Sequence, residues 1–463
     1  MAASSPNYVD WVTAPKLEGL EASLGDPSSV RQFRAEALRA FLELAVEPNP
    51  TYRGYSNFGT PDLSTVDPTE VGPPVGVPPS DLSTVRVVHD ASGTRVELPR
   101  VLEAAGVRVT TLPALWKEDG AGLGPITSTR AEDRLHALAL ALVNRAVRIE
   151  VPDRCPVPVR VQDLTIFSRS HEALSVHRTI RAGARSRVLV SEEVYSTSEP
   201  RPGDHRLYGS LVELAGGEDS ALHYLTVHAP DSQAASVYQR HASVGGHGRL
   251  AWVWAGFGGL HTRMKNLSEL PGNGSSIDDL QTFYGHGDQS YDSAVQITHI
   301  GTDTHGQSIT RGLFKDRSRG VSRGLVRIEK EARKTLSYLS EHAMLLSRGA
   351  RSDTIPVLEI LCRDVKATHS SSVAPVDPEK VFYLSSRGLT DGEAVRMIGE
   401  GFLSHVLERA PVQNLRDLLY PILADRWDDR PVLWGPERFP ALPALNVADD
   451  AASEDWRFDA KLR

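Results

Sequence analysis

The residues most able to do chemistry in this chain are sixteen histidines, two cysteines and a group of aspartates. Three histidine pairs stand close together in sequence, but without the regular helical spacing of the His-Glu-x-x-His zinc motif. These pairs are His171 and His177, His223 and His228, and His241 and His247. Because a single imidazole becomes a ligand only where other ligands converge on it, we interpret each of them as an ordinary surface or core histidine.

Four aspartates fall within a short stretch: Asp278, Asp279, Asp288 and Asp292. Two of them could form the carboxylate pair of a carbohydrate-cleaving enzyme built on a β-helix. Aspartate also favours turns, because its side chain bonds to the nearby backbone. We favour the turn interpretation and keep a β-helix lyase or hydrolase as the alternative function.

The two cysteines, Cys155 and Cys362, are too few for a disulfide framework or for a metal or cluster site made of cysteines within one chain. Cys362 falls in the strand-like stretch 358–365, which predicts a core thiol. Cys155 follows Arg154, whose positive charge is only a weak signal of thiol activation.

Phosphate-binding loops are not evident in the sequence. The glycine clusters at 245–248 and 256–259 lack the Lys-Ser or Lys-Thr that completes such a loop. We therefore predict turns between strands at both clusters, and no nucleotide bound by this chain.

Composition restricts the class of protein. The chain has 463 residues, a net charge of −8 and a pI near 6.1. This charge argues against nucleic acid as a partner, since nucleic-acid binding needs clustered positive charge.

The first ten residues lack the pattern of a signal peptide. The longest apolar run, Ala137 to Val143, is far shorter than the ~20 residues that span a bilayer. We expect a soluble, cytoplasmic protein without a membrane partner.

Local patterns divide the chain into helical ends and a strand-rich middle. Apolar spacing predicts helices over 28–46 and 129–147, separated by a proline-rich connection over 47–80. From about 156 to 365, short β-branched stretches alternate with turn residues, which is typical of a sandwich, barrel, propeller or β-helix. Capping signals at Asp377 and Thr390 predict helices over 377–387 and 390–409. A third helix is predicted from Leu415, and Pro421 is expected to kink it.

A series of short motifs between Thr298 and Glu408 occurs in the order found in one known family. The motifs are Thr298-His299-Ile300-Gly301, Asp316-Arg317-Ser318-Arg319-Gly320-Val321, Arg323-Gly324-Leu325-Val326, Asp353-Thr354-Ile355-Pro356-Val357-Leu358-Glu359-Ile360, Asp364-Val365-Lys366, His369, Phe382-Tyr383-Leu384, Ser386-Arg387-Gly388-Leu389 and Gly401-Phe402. This stretch resembles the SufB/SufD family of iron–sulfur cluster assembly scaffold proteins.

The resemblance implies a mainly β fold, with a right-handed parallel β-helix core flanked by N-terminal and C-terminal helical regions. We accordingly expect a helical and proline-rich region over 1–148, the β-helix over 149–366, a helical ATPase-docking domain over 367–425 and a divergent tail over 426–463. The implied partners are a SufC-type ATPase and a SufB-type paralogue in a heterodimer, or a second copy of this chain in a homodimer. The candidate partner-binding residues are Phe382, Tyr383, Arg387 and Phe402.

The same resemblance indicates the SufD-like branch. Glu341 and Ala350 stand where SufB-type chains carry cysteines, and Ser370 stands where they carry a glutamate. The SufD-type histidine is present as His369, although the cysteine that usually accompanies it is Ala367. His369 is therefore the candidate ligand of a transient iron–sulfur cluster, or of iron, at the subunit interface. We expect a scaffold and not an enzyme; a homo-oligomeric structural scaffold remains a further alternative.

Overall fold

The middle of the chain is a long stack of strands. The computed structural model describes residues 14–49, 52–53, 63–112, 114–115, 131–199, 201 and 203–435. In chain order the strands are β1 (Thr84–Asp90), β2 (Gly93–Glu97), β3 (Arg108–Thr111), β4 (Arg145–Val151), β5 (Val159–Phe167), β6 (Ala173–Ala182), β7 (Arg187–Ser196), β8 (Arg206–Gly216), β9 (Ala221–Ala229), β10 (Ala234–Val244), β11 (Arg249–Gly256), β12 (His261–Leu270), β13 (Ser276–Gly285), β14 (Ser290–His299), β15 (His305–Phe314), β16 (Arg319–Ile328), β17 (Thr335–Leu345), β18 (Arg351–Ile360) and β19 (Val365–Pro375).

Helices lie at both ends of this stack. They are α1 (Ala14–Leu24), α2 (Ser28–Glu43), α3 (Arg100–Ala104), α4 (Arg134–Ala141), α5 (Pro378–Ser385), α6 (Asp391–Leu407) and α7 (Leu415–Trp427). Helices α2 and α4 are shorter than the predicted ranges 28–46 and 129–147, and Arg145 already belongs to β4. The sequence pattern did not predict α1. Asp133 accepts hydrogen bonds from the backbone N–H groups of Leu135 and His136, which explains where α4 begins.

The strands form two sheets that face each other. From β4 onward, odd-numbered strands pair in parallel with the next odd strand and even-numbered strands with the next even strand. The sixteen strands from β4 to β19 therefore make eight turns of a parallel β-solenoid, which confirms the mainly β, β-helix prediction. The predicted handedness of the coil remains a prediction.

A stack of turns keeps the coils in register. One turn in each of several successive coils contains a residue with left-handed backbone conformation: Arg185, Asp219, His247, Gly274, Asp303 and Lys334. The backbone N–H of each donates to a carbonyl in the corresponding turn of the next coil, for example Asp303 to Arg333 and Lys334 to Asp364. The stack is thus held by backbone bonds, which any of these residue types can make.

The two ends of the solenoid differ. At the first end, β2 pairs antiparallel with β1, and β3 pairs antiparallel with β4. Strands β2 and β3 are the outermost ones there, and Leu102 of α3, which connects them, is buried in a cluster with Val85 and Val147. At the last end, the outermost strands are β18 and β19, and apolar residues there are exposed. The solenoid was predicted to end at 366, but β19 continues to Pro375 before α5 begins. We call the last end, formed by β18 and β19, the open end.

Apolar clusters attach the helices to the outer faces of the sheets. Leu403 and Val406 of α6 share a buried cluster with Leu280 and Ile309 of the odd-numbered sheet, and α7 belongs to the same cluster. On the even-numbered sheet, α2 and α4 pack against Leu211 and Val237. These helices therefore cover parts of both outer faces, whereas the residues of β18 and β19 are exposed or half-buried.

Candidate functional site

The open end exposes apolar side chains. Val373 of β19 is 39% exposed, Ile360 of β18 is 43% exposed and Leu361 is 49% exposed. Most residues of β18 and β19 are exposed or half-buried, whereas the inner strands are largely buried. This end therefore has the character of a surface that another chain could cover.

His369 lies in β19, in register with Leu339 of β17. Leu339 packs with Val326 and Ile328 of the opposite sheet, so this row of residues faces the lumen of the solenoid. The sequence placed His369 after the last strand; it belongs to the last strand and is exposed at the mouth of the lumen.

Glu341 lies two residues beyond Leu339, on the same lumen-facing side of β17. The hydroxyl of Ser322, from the opposite sheet, donates a 2.6 Å hydrogen bond to its carboxylate. Burial raises the pKa of Glu341 to about 7. Of the other positions matched to SufB groups, Ala350 is buried before β18 and Ser370 lies on the outer face, where His342 and Tyr338 contact its hydroxyl.

Deeper in the lumen lies a chain of buried charges that sequence reasoning missed. The Arg178 guanidinium donates to Asp163 at 2.7 Å and lies 3.4 Å from Glu192. Arg240 donates to the other oxygen of Glu192 at 2.8 Å. Burial opposes ionisation of Asp163, but Arg178 outweighs it and holds the pKa of Asp163 below its usual range. The only sequence signal would have been charged residues at lumen-facing strand positions, and that requires the strand register.

The four aspartates do not come together in an open cleft. Asp279 faces the lumen, where Asn266 and Gln281 donate to it, while its neighbour Asp278 faces the opposite side of the strand. Asp288 lies in an exposed turn, paired with Arg317, and Asp292 is paired with Arg323. The turn prediction is correct for Asp288 alone, because the other three lie in β13 and β14.

Both cysteines are half-buried. Cys362 lies in the turn between β18 and β19, and so the predicted strand position was wrong, although its side chain packs against the apolar cluster of Val326 and Leu339. Cys155 lies in the turn before β5 and packs against the cluster that includes Val159. Among the described parts of the chain, no group of three or more histidine, cysteine or acidic residues could hold a metal ion.

The candidate partner-binding residues lie on α5 and α6. Phe382 is 75% exposed, Tyr383 is 55% exposed, and the Arg387 guanidinium lies 4.9 Å from the centre of the Tyr383 ring. None of the residues of α5 is buried. Phe402 is half-buried on α6, where its ring contacts the Arg311 guanidinium. Phe382 and Tyr383 therefore form an exposed aromatic surface, and Phe402 lies apart from it.

Comparison with known proteins identifies the family. Residues 165–402, just over half of the chain, match the family model described as SUF system FeS cluster assembly, SufBD core domain. The chain belongs to the SufB/SufD family. It is SufD-like: it is 27% identical to the iron–sulfur cluster assembly protein SufD of Bacillus subtilis, over 86% of this chain and 94% of that protein.

Other family members match a shorter part. A SufBD family protein of Staphylococcus saprophyticus is 26% identical over 48% of this chain and 46% of its own length. One of Mycobacterium bovis is 24% identical over 49% of this chain and 27% of its own length. The SufBD core match begins in β5 and ends in α6, so it contains His369, Glu341 and the exposed helix α5. No helix in the described ranges is long and apolar enough to cross a membrane.

Proposed function

We propose that this SufD-like chain is a non-catalytic scaffold subunit of a cytoplasmic iron–sulfur cluster assembly complex. It pairs with a SufB-type paralogue, or with a second copy of itself, and it docks a SufC-type ATPase. The observation that carries this proposal is the difference between the ends of the solenoid: Leu102 of α3 is buried in the apolar cluster at the first end, whereas Val373, Ile360 and Leu361 are exposed at the last end.

An open parallel edge is a strong reason to expect a partner. The outermost strand of a sheet offers backbone groups that bond readily to another strand, and proteins that remain alone usually protect such edges. Here the edge strand β19 bears the apolar Val373 and no proline before its last residue, Pro375. A partner that covers β18 and β19 would bury the apolar residues and satisfy the edge in one step.

His369 would then lie at the subunit interface, because it belongs to the strand being covered. An imidazole is a weaker ligand than a thiolate for iron–sulfur clusters, which suits a scaffold that must release its cargo. This chain offers His369 there, and the thiolates would come from the partner. The cluster, or the iron, is thus a cargo held between two chains.

The ATPase would bind the C-terminal helices. Phe382 and Tyr383 project from α5, and only Val376 and Asp377 separate α5 from β19. Exposed aromatic residues of this kind act as anchors in protein interfaces. Binding there would place the ATPase next to the paired ends, so that its movement could reach the interface.

The proposal is tested by mixing the purified chain with a SufB-type and a SufC-type protein. Native mass spectrometry should detect a complex that contains all three. The chain alone should bind no ATP at micromolar concentration in isothermal titration calorimetry. A chain that remained monomeric in every mixture, or that degraded a polysaccharide, would contradict the proposal.

A further inference from the structure

Arginine, histidine and serine side chains lie together on the outer face of the odd-numbered sheet, beside the C-terminal end of α6. They come from the outward-facing positions of β15, β17 and β19, from α6 and from the residues directly after it. We call this group the basic cleft, and its residues are Arg311, Ser340, His342, Ser370, Ser372, His405 and Arg409. It faces away from the lumen, since these strand residues alternate with Glu341 and His369.

Arg311 is the central cation of the basic cleft. It is half-buried, its guanidinium lies 5.4 Å from the centre of the Phe402 ring, and it donates to the Ser340 hydroxyl at 3.4 Å. Burial lowers the pKa of Arg311 to about 10, so the side chain still carries its charge at neutral pH. Within the described residues it forms no ion pair with a carboxylate. A desolvated cation without an anion is costly, which is the first indication that an anion is missing.

The charged groups around Arg311 do not provide that anion. The ionisable groups near it are Arg409, the Tyr338 phenol, His342 and His405. His405 and Arg409 are exposed at the end of α6, with Glu408 beside them, but Glu408 is paired with Arg416. Asp278 also lies near Arg409; burial raises its pKa to about 8, which keeps it mostly protonated at neutral pH. The local charge is therefore positive.

Hydroxyl groups complete the lining. Both ring nitrogens of His342 contact serines, Ser372 at 2.5 Å and Ser370 at 3.2 Å. Ser370 lies 3.0 Å from the Tyr338 hydroxyl and 3.5 Å from the Ser340 hydroxyl. A serine hydroxyl rotates, so each of these groups can donate to a ligand instead of to its neighbour. Burial, then Arg311 and His405, lower the pKa of His342 to about 4, and a bound anion would reverse part of that shift.

We propose that the basic cleft binds a tetrahedral oxyanion of the phosphate type. Guanidinium groups and hydroxyl donors from several directions suit an anion with oxygens on all sides, whereas a carboxylate has only two oxygens in a plane. The site is independent of the role of the open end, because its residues face the opposite side of β17 and β19.

The test is isothermal titration calorimetry of the purified chain with inorganic phosphate, at constant ionic strength set by chloride. Phosphate should bind, and acetate should bind at least about tenfold more weakly, because it satisfies fewer donors. Adenosine monophosphate distinguishes the source. Tighter binding than inorganic phosphate indicates a phosphate group on a larger ligand, and weaker binding indicates the free ion.

Two variants make the assignment specific. Arg311→Met should weaken phosphate binding by about tenfold or more, since it removes a charge-assisted donor. Without phosphate it should unfold at the same temperature as the parent chain or higher, because the buried charge is gone. Arg409→Gln, at an exposed position, should weaken binding without touching the core.

Arg319→Met, at an exposed arginine of β16 outside the basic cleft, is the matched control and should bind phosphate normally. Phosphate affinity that was unchanged in both cleft variants, or equal for phosphate and acetate, would overturn the proposal. Pairing and ATPase binding of the variants should remain intact, which separates this site from the scaffold function.

Discussion

Buried ionisable side chains in this protein differ in whether a partner matches their charge. Arg178 lies between Asp163 and Glu192, and Arg240 pairs with Glu192, so two cations balance two carboxylates in the lumen. Asp278 forms no ion pair within the part of the chain that the structure describes; it has a hydrogen bond with Gln307 and lies near Arg409. The paired groups therefore stay charged when buried, whereas the burial of Asp278 makes stability depend on pH.

We expect Asp278→Asn to stabilise the protein at alkaline pH. Burial raises the pKa of Asp278 from 3.8 to about 8 in the folded chain. The folded state thus holds this proton more tightly, and the associated stability is complete below pH 3.8 and is lost as the pH rises toward 8. The amide variant avoids this loss. Its free energy of unfolding should exceed that of the parent by about 5 kcal/mol at pH 8, with little difference at pH 4.

Urea unfolding at the two pH values measures this difference. Asp288→Asn is the control, because Asp288 is exposed and its pKa is lowered by the hydrogen bond from Arg317. The free energy of unfolding of Asp288→Asn should not exceed that of the parent chain at pH 8. An Asp278→Asn gain of the same size at both pH values would show that the carboxyl ionises freely in the folded protein.

His369→Ala should lower the iron–sulfur content of the assembled complex without affecting folding. The side chain is exposed, so its removal should cost at most about 1 kcal/mol of stability. Loading is measured as visible absorbance and as iron per complex. Cys362→Ser is the control. Because Cys362 packs against the apolar cluster of Val326 and Leu339, this variant should lower the stability of the protein more than its iron–sulfur content. Unchanged loading in His369→Ala would make this histidine structural.

At the scale of elements, the two helices that follow β19 were predictable because their capping signals are local, whereas α1 and α3 were missed. Thr390 and Glu393 form the predicted capping box, and Asp377 caps α5 before Pro378. The pairing of strands into coils was not predictable, because each strand pairs with one that lies a full turn of the solenoid away in sequence. Leu339 and His369 are such a pair. The stacked turns use Arg, Asp, His, Gly and Lys at the same backbone conformation, which hides the structural repeat.

The same distinction applies to the sites. His369 was found from the family resemblance and not from any local pattern. The basic cleft combines residues of three strands and a helix, whose proximity depends on the coil register. Arg311 beside Phe402 and His342 beside Ser372 have no counterpart in sequence spacing.

Phe382→Ser on α5 should weaken binding of the SufC-type ATPase about tenfold or more, as expected for the loss of an aromatic anchor. Stability should be unchanged within about 0.5 kcal/mol, because the side chain is 75% exposed. Calorimetric titration with the purified ATPase measures the affinity. Val71→Ser is the control, because it alters another exposed apolar residue, which is 72% exposed. This variant should bind the ATPase normally. Equal affinities in the two variants would exclude α5 as the docking surface.

At the scale of the whole molecule, the solenoid is directional, with one closed and one open end. A lysine on the outermost strand opposes pairing, because its charge would have to be buried. Val373→Lys should therefore leave the circular dichroism spectrum unchanged and abolish pairing in native mass spectrometry. Leu82→Lys is the control: it places the same charge at a residue that is 90% exposed and lies outside β18 and β19. This variant should pair with the partner subunit normally. If the Val373→Lys variant still paired, the subunit interface would not involve β19.

The direction of the solenoid also gives it an order of construction. The strands at the first end, β1 to β3, leave the ribosome before any of the eight turns, and each later strand emerges when its neighbour is already available as a template. Folding of such a stack can proceed by successive addition along the chain. β19 is then the growing tip, which stops only because the sequence turns into helix at Pro378. A strand from another chain added at β19 would continue the same growth, so that assembly of the complex repeats, between molecules, the step that built the subunit.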